Sequence, residues 1–160
     1  MNSNYLPYPD TNLFIGGEWC NGSDNRFLAV TNPATGTLIG KVACASISDL
    51  DRALDYAQLG FKSWQGCSAF ARAETMRTAA RYLRDRSSKI AQVLTQEQGK
   101  PIGEALIEVK AAADTIEWFA DEGTRVYGRV LPSRRAESRT EVLKVAVGPV
   151  AAFTPWNFPI

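Results

Sequence analysis

Histidine is absent from the 160 residues. A histidine-ligated metal or a cysteine–histidine catalytic pair therefore cannot be assembled from this chain. Cysteine is scarce: Cys20, Cys44 and Cys67 are odd in number, far apart, and match no metal-ligand or redox spacing. No metal site is expected, and a reducing, cytoplasmic setting is. No apolar run approaches the ~18 residues of a membrane span, and residues 1–14 hold no basic stretch ahead of an apolar core, as a secretory signal would. Charge of either sign is not in excess. Eighteen Lys and Arg against seventeen Asp and Glu leave a net +1. That balance gives no electrostatic reason to expect nucleic acid or an anionic membrane as a partner.

What is present fits one globular unit, with 45% hydrophobic and 22% charged residues. The most informative stretch is the last, Val150 to Ile160. Residues 150–154 are a short unbroken run of apolar and β-branched side chains, as expected of a strand buried on both faces of a parallel sheet. Pro155 and Pro159 then bound a turn that carries Trp156 and Asn157. Open α/β sheets hold their ligands at this end of a strand. A carboxamide placed there can donate hydrogen bonds to a developing oxyanion. The plainer alternatives are an Asn bonded within its own turn and a Trp in the core.

Upstream, residues 1–12 read as an irregular arm. Leu13 to Ile15 and Glu18 to Cys20 flank Gly16-Gly17 as a tight hairpin. Phe27 to Val30 and Lys41 to Cys44 are further short strands around turns at 21–25 and 32–36. Ser48 followed by Asp51 marks a capped helix start, with a stripe of Leu50, Ala53, Leu54, Ala57, Phe61 and Trp64 assigned to the core. A second helix spans about 69–84, its arginines forming a solvated face. A third runs from Ser87 to Gln98 and ends at Gly99. A fourth, the longest, covers about 102–124. Polar residues 133–140 form a loop, and residues 141–147 a strand whose exposed edge suits pairing with another subunit. Four helical pieces before any buried strand suit a helical layer laid on a sheet supplied later.

At Thr154-Pro155-Trp156-Asn157-Phe158-Pro159 the sequence resembles the aldehyde dehydrogenase superfamily. Phe14 to Trp19, Asn32 to Gly36, Glu97-Gln-Gly-Lys-Pro101 and Val147 to Val150 resemble further family segments, in order. Trp118 to Glu122 and Tyr127-Gly128 look most like the succinate-semialdehyde dehydrogenase branch. The resemblance implies an α/β fold: small antiparallel strands, four helical segments, an extended arm, and the first strand of a parallel nucleotide-binding sheet. It assigns 1–125 to the N-terminal part of the NAD(P)-binding domain, 126–147 to oligomerisation-arm strands and 148–160 to the start of the sheet.

The resemblance also implies roles. Asn157 would be the oxyanion-hole amide. Thr154, Pro155 and Trp156 would line the cofactor site, NAD or NADP, and residues 102–124 would partly wall the substrate tunnel. The implied reaction oxidises a small aldehyde, succinate semialdehyde in that branch, to the acid. It passes through a cysteine thiohemiacetal and thioester with a glutamate as general base. Cys20, Cys44 and Cys67 do not match the nucleophile's position. The chain is therefore expected to be the N-terminal portion of a longer enzyme, inactive by itself, with the full-length protein a homodimer or homotetramer. The competing expectation is a non-catalytic helical interaction module.

Overall fold

The computed structural model describes residues 7–160, so the first half of the expected arm lies outside the described residues. Among the described residues, three two-stranded antiparallel ribbons accompany four helices, two ribbons before them and one after. In the first ribbon, β1 (Leu13–Ile15) pairs β2 (Glu18–Cys20) across Gly16 and Gly17, both at positive φ as a two-residue hairpin turn requires. In the second, β3 (Phe27–Thr31) pairs β4 (Leu38–Ala43), with a register shift between Val30 and Thr31. The expected arm is not wholly irregular. Thr11 bridges β4 in parallel, donating to Lys41 O at 2.9 Å and accepting from Ala43 N at 2.8 Å.

Helix α1 (Ile47–Gly66) starts two residues earlier than the Ser48 cap predicts. Ser46 is the N-cap, and Asp49 completes a capping box with it. The reason is tertiary. Asp49 is buried because it also accepts from Ser23 N and Ser23 Oγ, at 2.8 and 2.7 Å, in the turn after β2. These hydrogen bonds, the Ser23 hydroxyl first, hold its carboxyl well below the ordinary carboxylate range. The α1 stripe assigned to the core is not buried within the chain. Leu50, Leu54 and Trp64 are all exposed, since no other layer covers that face here.

Helices α2 (Ala69–Asp85), α3 (Ser87–Gln98) and α4 (Ile102–Gly123) form the packed body, with α4 laid against both others. Ser68 caps α2, accepting from Ala71 N at 3.1 Å. The core is small-residue packing: Ala73, Ala80, Ala91, Ala105, Ala113 and Ala120 are buried, with Leu94 and Val109 between them. Alanine faces let helix axes approach closely, so modest apolar area is buried at high density. The arginines of α2 are not all a solvated face. Arg77 reaches Asp121 at 2.6 Å, and Arg84 reaches Asp114 at 2.6 Å and both oxygens of Glu117 at 2.5 and 2.7 Å, stitching α2 to α4. The Arg84 bonds lower the Glu117 pKa.

Beyond α4, β5 (Arg129–Leu131) pairs β6 (Thr140–Val142), Val130 opposite Glu141. The strand expected over 141–147 is thus cut to its start. Residues 143–149 pair with nothing described, and Val145 and Val147 stand open. Residues 150–154 likewise form no ladder, and Val150 and Phe153 are 76% and 93% exposed, not buried on both faces. A strand is defined by its neighbours' N–H and C=O groups, and this chain places none alongside.

Candidate functional site

The junction of α3 and α4 builds the site. Gly99 caps α3 in the left-handed region, φ 80°, and its N–H returns to Thr95 O at 2.9 Å. Pro101, extended at φ −54° and ψ 138°, occupies the N-cap of α4. Between them Lys100 is turned inward, its side chain only 10% exposed. It forms an ion pair with Glu108, 4% exposed on the inner face of α4 beside Ala105 and Val109.

The chain's last turn docks on this pair. Phe158 N donates to Pro155 O at 3.1 Å, closing a β-turn with Trp156 and Asn157 at its centre. Lys100 Nζ donates to Asn157 O at 2.6 Å and lies 4.4 Å from the centre of the Phe158 ring. Gln98 Nε2 donates to Trp156 O at 3.0 Å. Ile160 N donates to Glu108 Oε1 at 3.2 Å.

Two grooves meet at this turn. One, of about 990 Å³, runs along α4 past Glu104, Ile107, Ala111 and Thr115 to Trp156 and Asn157. The other, of about 610 Å³, lies between α3 and the turn, with Pro33, Ile90 and Val93 on its wall and Trp156 at its edge. Of the residues singled out by sequence, Asn157 lines the first groove and Trp156 both, while Thr154 and Pro155 line neither. Thr154, Pro155, Trp156 and Asn157 are all exposed. The Asn157 carboxamide takes no hydrogen bond among the described residues, so it is not tied into its own turn.

Cys20, Cys44 and Cys67 are free thiols that line neither groove. Among the described residues no group of three or more Cys, Asp or Glu is placed to hold a metal. No described helix is long and apolar enough to cross a membrane.

Sequence reasoning missed Lys100, Glu108 and Gln98 as contributors. The available signal was Glu108, a carboxylate among the apolar positions of α4, eight residues after a lysine held between Gly99 and Pro101.

This helical layer with its ribbons and proline-bounded turn has a recognisable class. The profile of the aldehyde dehydrogenase family matches residues 19–160, and the chain belongs to that family. It is 47% identical over 148 residues to a 4-(hydroxymethyl)benzenesulfonate dehydrogenase of Comamonas testosteroni, covering 92% of this chain and 31% of that one. To the NADP-dependent succinate-semialdehyde dehydrogenase of Escherichia coli it is 39% identical over 155 residues, covering 94% and 32%. The crystal structure of succinate-semialdehyde dehydrogenase from Burkholderia pseudomallei superposes with a TM-score of 0.90 at 40% identity, covering 93% and 31%. The chain thus spans about a third of the length of these relatives.

Proposed function

We propose that this chain is the N-terminal part of an NAD(P)-dependent aldehyde dehydrogenase, and that the whole enzyme oxidises a small aldehyde bearing an acidic group at its far end. The observation that carries the reading is Asn157, its carboxamide unengaged among the described residues, lining the α4 groove in a chain of this family. Its two N–H donors can hold an aldehyde oxygen and gain strength as that oxygen becomes an anion. Removing one such donor lowers kcat by roughly 10²–10³-fold in other enzymes.

The substrate class is read from relatives. The names 4-(hydroxymethyl)benzenesulfonate, succinate semialdehyde, glutarate semialdehyde and 3-sulfolactaldehyde each denote a small molecule with a carboxylate or sulfonate. Succinate semialdehyde is the first compound to test.

NAD or NADP would supply a hydride acceptor. The exposed Trp156 ring and Thr154 hydroxyl suit contact with its nicotinamide end. The described residues offer no glycine-rich turn leading into a helix, the usual pyrophosphate cradle. In this reading the rest of the cofactor is held by residues outside the chain, as are the nucleophile and the general base. Residues 1–125 belong to the cofactor domain, 126–147 to an arm pairing with a neighbouring subunit of a homodimer or homotetramer, and 148–160 to the first sheet strand. The enzyme is placed in the cytoplasm.

The test is to express the coding sequence extended beyond Ile160 and follow NAD(P)H formation. Succinate semialdehyde or a sulfonated benzaldehyde is expected to be oxidised faster than propanal. Failure of every aldehyde with both cofactors overturns the reading. The purified 160-residue chain is expected to give no turnover, and turnover by it would overturn the placement of the nucleophile elsewhere.

A further inference from the structure

We propose that Lys100 and Glu108 are positioning residues for Asn157: their buried ion pair clamps the backbone of the last turn so that the carboxamide faces the α4 groove. The proposal rests on the reading of Asn157 as the oxyanion donor.

A buried ion pair is a poor stabiliser. Desolvating both charges offsets most of their attraction, and an apolar pair of similar volume is often as stable or more so. The Lys100–Glu108 pair is nonetheless almost fully enclosed, and its remaining bonding capacity points one way. The ammonium meets Glu108, the Asn157 carbonyl and the Phe158 ring. The carboxylate meets Lys100 with one oxygen and the Ile160 N–H with the other. Gln98 adds a bond to the Trp156 carbonyl. The main chain of Trp156, Asn157 and Ile160 is thus held by three side chains, Gln98 at the end of α3, Lys100 at the junction and Glu108 on α4.

The chemistry of the clamp is selective. Its hydrogen bonds to the turn all go to main-chain atoms, of Trp156, Asn157 and Ile160. The Asn157 side chain is therefore left unengaged while its Cα and carbonyl are held. A donor kept in place before the reaction needs no reorganisation as charge develops, and a displacement of about 1 Å can cost ~10²-fold in rate. The same feature makes the idea separable: changing the side chain at 157 leaves the clamp's own bonds intact.

The experiment is a double-mutant cycle in the full-length protein carrying residues 1–160, with hydrogen exchange on the same protein alongside. Lys100→Met keeps length and removes the donor. It is expected to lower kcat by ~10–100-fold with KM changed less than about threefold. Asn157→Ala is expected to lower kcat by ~10²–10³-fold, and the double variant to match Asn157→Ala alone. Lys100→Arg restores a cation and donors and should recover part of the rate. Glu108→Gln, which keeps an acceptor for Ile160 N–H but not the charge, should fall between. In Lys100→Met, exchange over residues 155–160 should quicken by about tenfold or more while α2 is unchanged.

A Lys100→Met loss that adds in full to that of Asn157→Ala overturns the positioning role and leaves the Asn157 reading standing. Unchanged exchange over 155–160 also overturns it. An Asn157→Ala enzyme with wild-type kcat overturns the reading beneath and the proposal with it. If Lys100→Met does not fold, Lys100→Arg and Glu108→Gln carry the same cycle.

Discussion

The Asp49 carboxylate accepts from Ser23 Oγ at 2.7 Å and Ser23 N at 2.8 Å, so a helix-capping residue of α1 closes a turn 26 positions earlier. The same carboxylate accepts from Ser46 N at 2.9 Å and meets Arg52 at 3.2 Å. Its pKa is depressed by the bonds from Ser23 and Ser46, the Ser23 hydroxyl foremost. A depressed carboxyl stabilises the fold above its unfolded pKa of ~3.9 and loses that contribution as pH falls toward the folded value. Asp49→Asn is expected to lower the urea midpoint of the chain by a constant amount from pH 5 to 8. The gap to wild type should narrow below about pH 4, where wild type loses its advantage. A gap independent of pH down to about pH 2 would contradict this.

Gly99 is held at φ 80°, and a Cβ there would lie 2.9 Å from Pro33 Cγ. Two penalties therefore attend Gly99→Ala, a left-handed backbone costing ~1–2 kcal/mol and a contact with a ring that cannot retract. Denaturant unfolding should show a loss of about 1–2 kcal/mol or slightly more. Adding Pro33→Ala should recover only the contact part.

Val109 is fully buried in the cluster with Ala91, Leu94 and Ala105. Val109→Ala removes two methylene equivalents from an interior with little room to collapse. A stability loss of about 2–3 kcal/mol is expected from urea unfolding. A loss near zero would mean that the α3–α4 contact forms no cooperative core.

Tyr8 donates its hydroxyl to Glu97 at 2.6 Å, tying the arm before β1 to the end of α3. Burial first, then the bond to this carboxylate, pushes the Tyr8 pKa up to about 12. A raised pKa means the contact stabilises the fold below the unfolded value of ~10 and is lost as pH rises through the folded one. Ultraviolet titration should show one of the five tyrosines ionising late, and Glu97→Gln should shift that one down. Tyr8→Phe should abolish the late step.

The four helices were legible because their signals are local. Gly99 as a C-cap, Pro101 before α4, and apolar residues at three- and four-residue spacing place α2, α3 and α4 to within a residue or two of their ends. The hairpin at Gly16-Gly17 was legible for the same reason. The start of α1 was not. Ser46 with Asp49 and Ser48 with Asp51 offer the same cap spacing, and what selects the first is Ser23, remote in sequence. The stripe of α1 and the run 150–154 read as buried and stand exposed in this chain for the converse reason. Apolar pattern marks a surface to be covered, and covering it takes neighbours that the pattern does not supply.

By itself the sequence determined the family, the order of elements and the residue, Asn157, that stands at the groove, because motif and periodicity are properties of adjacent positions. Only the tertiary structure decided that Lys100 and Glu108 meet inside the protein and grip the turn from below. The contact with the turn joins positions 57 apart, at a junction shaped by a left-handed cap at Gly99 and a proline at the next helix start. No local preference encodes a contact of that range, which forms only when the chain folds back and supplies main-chain partners to two buried charges.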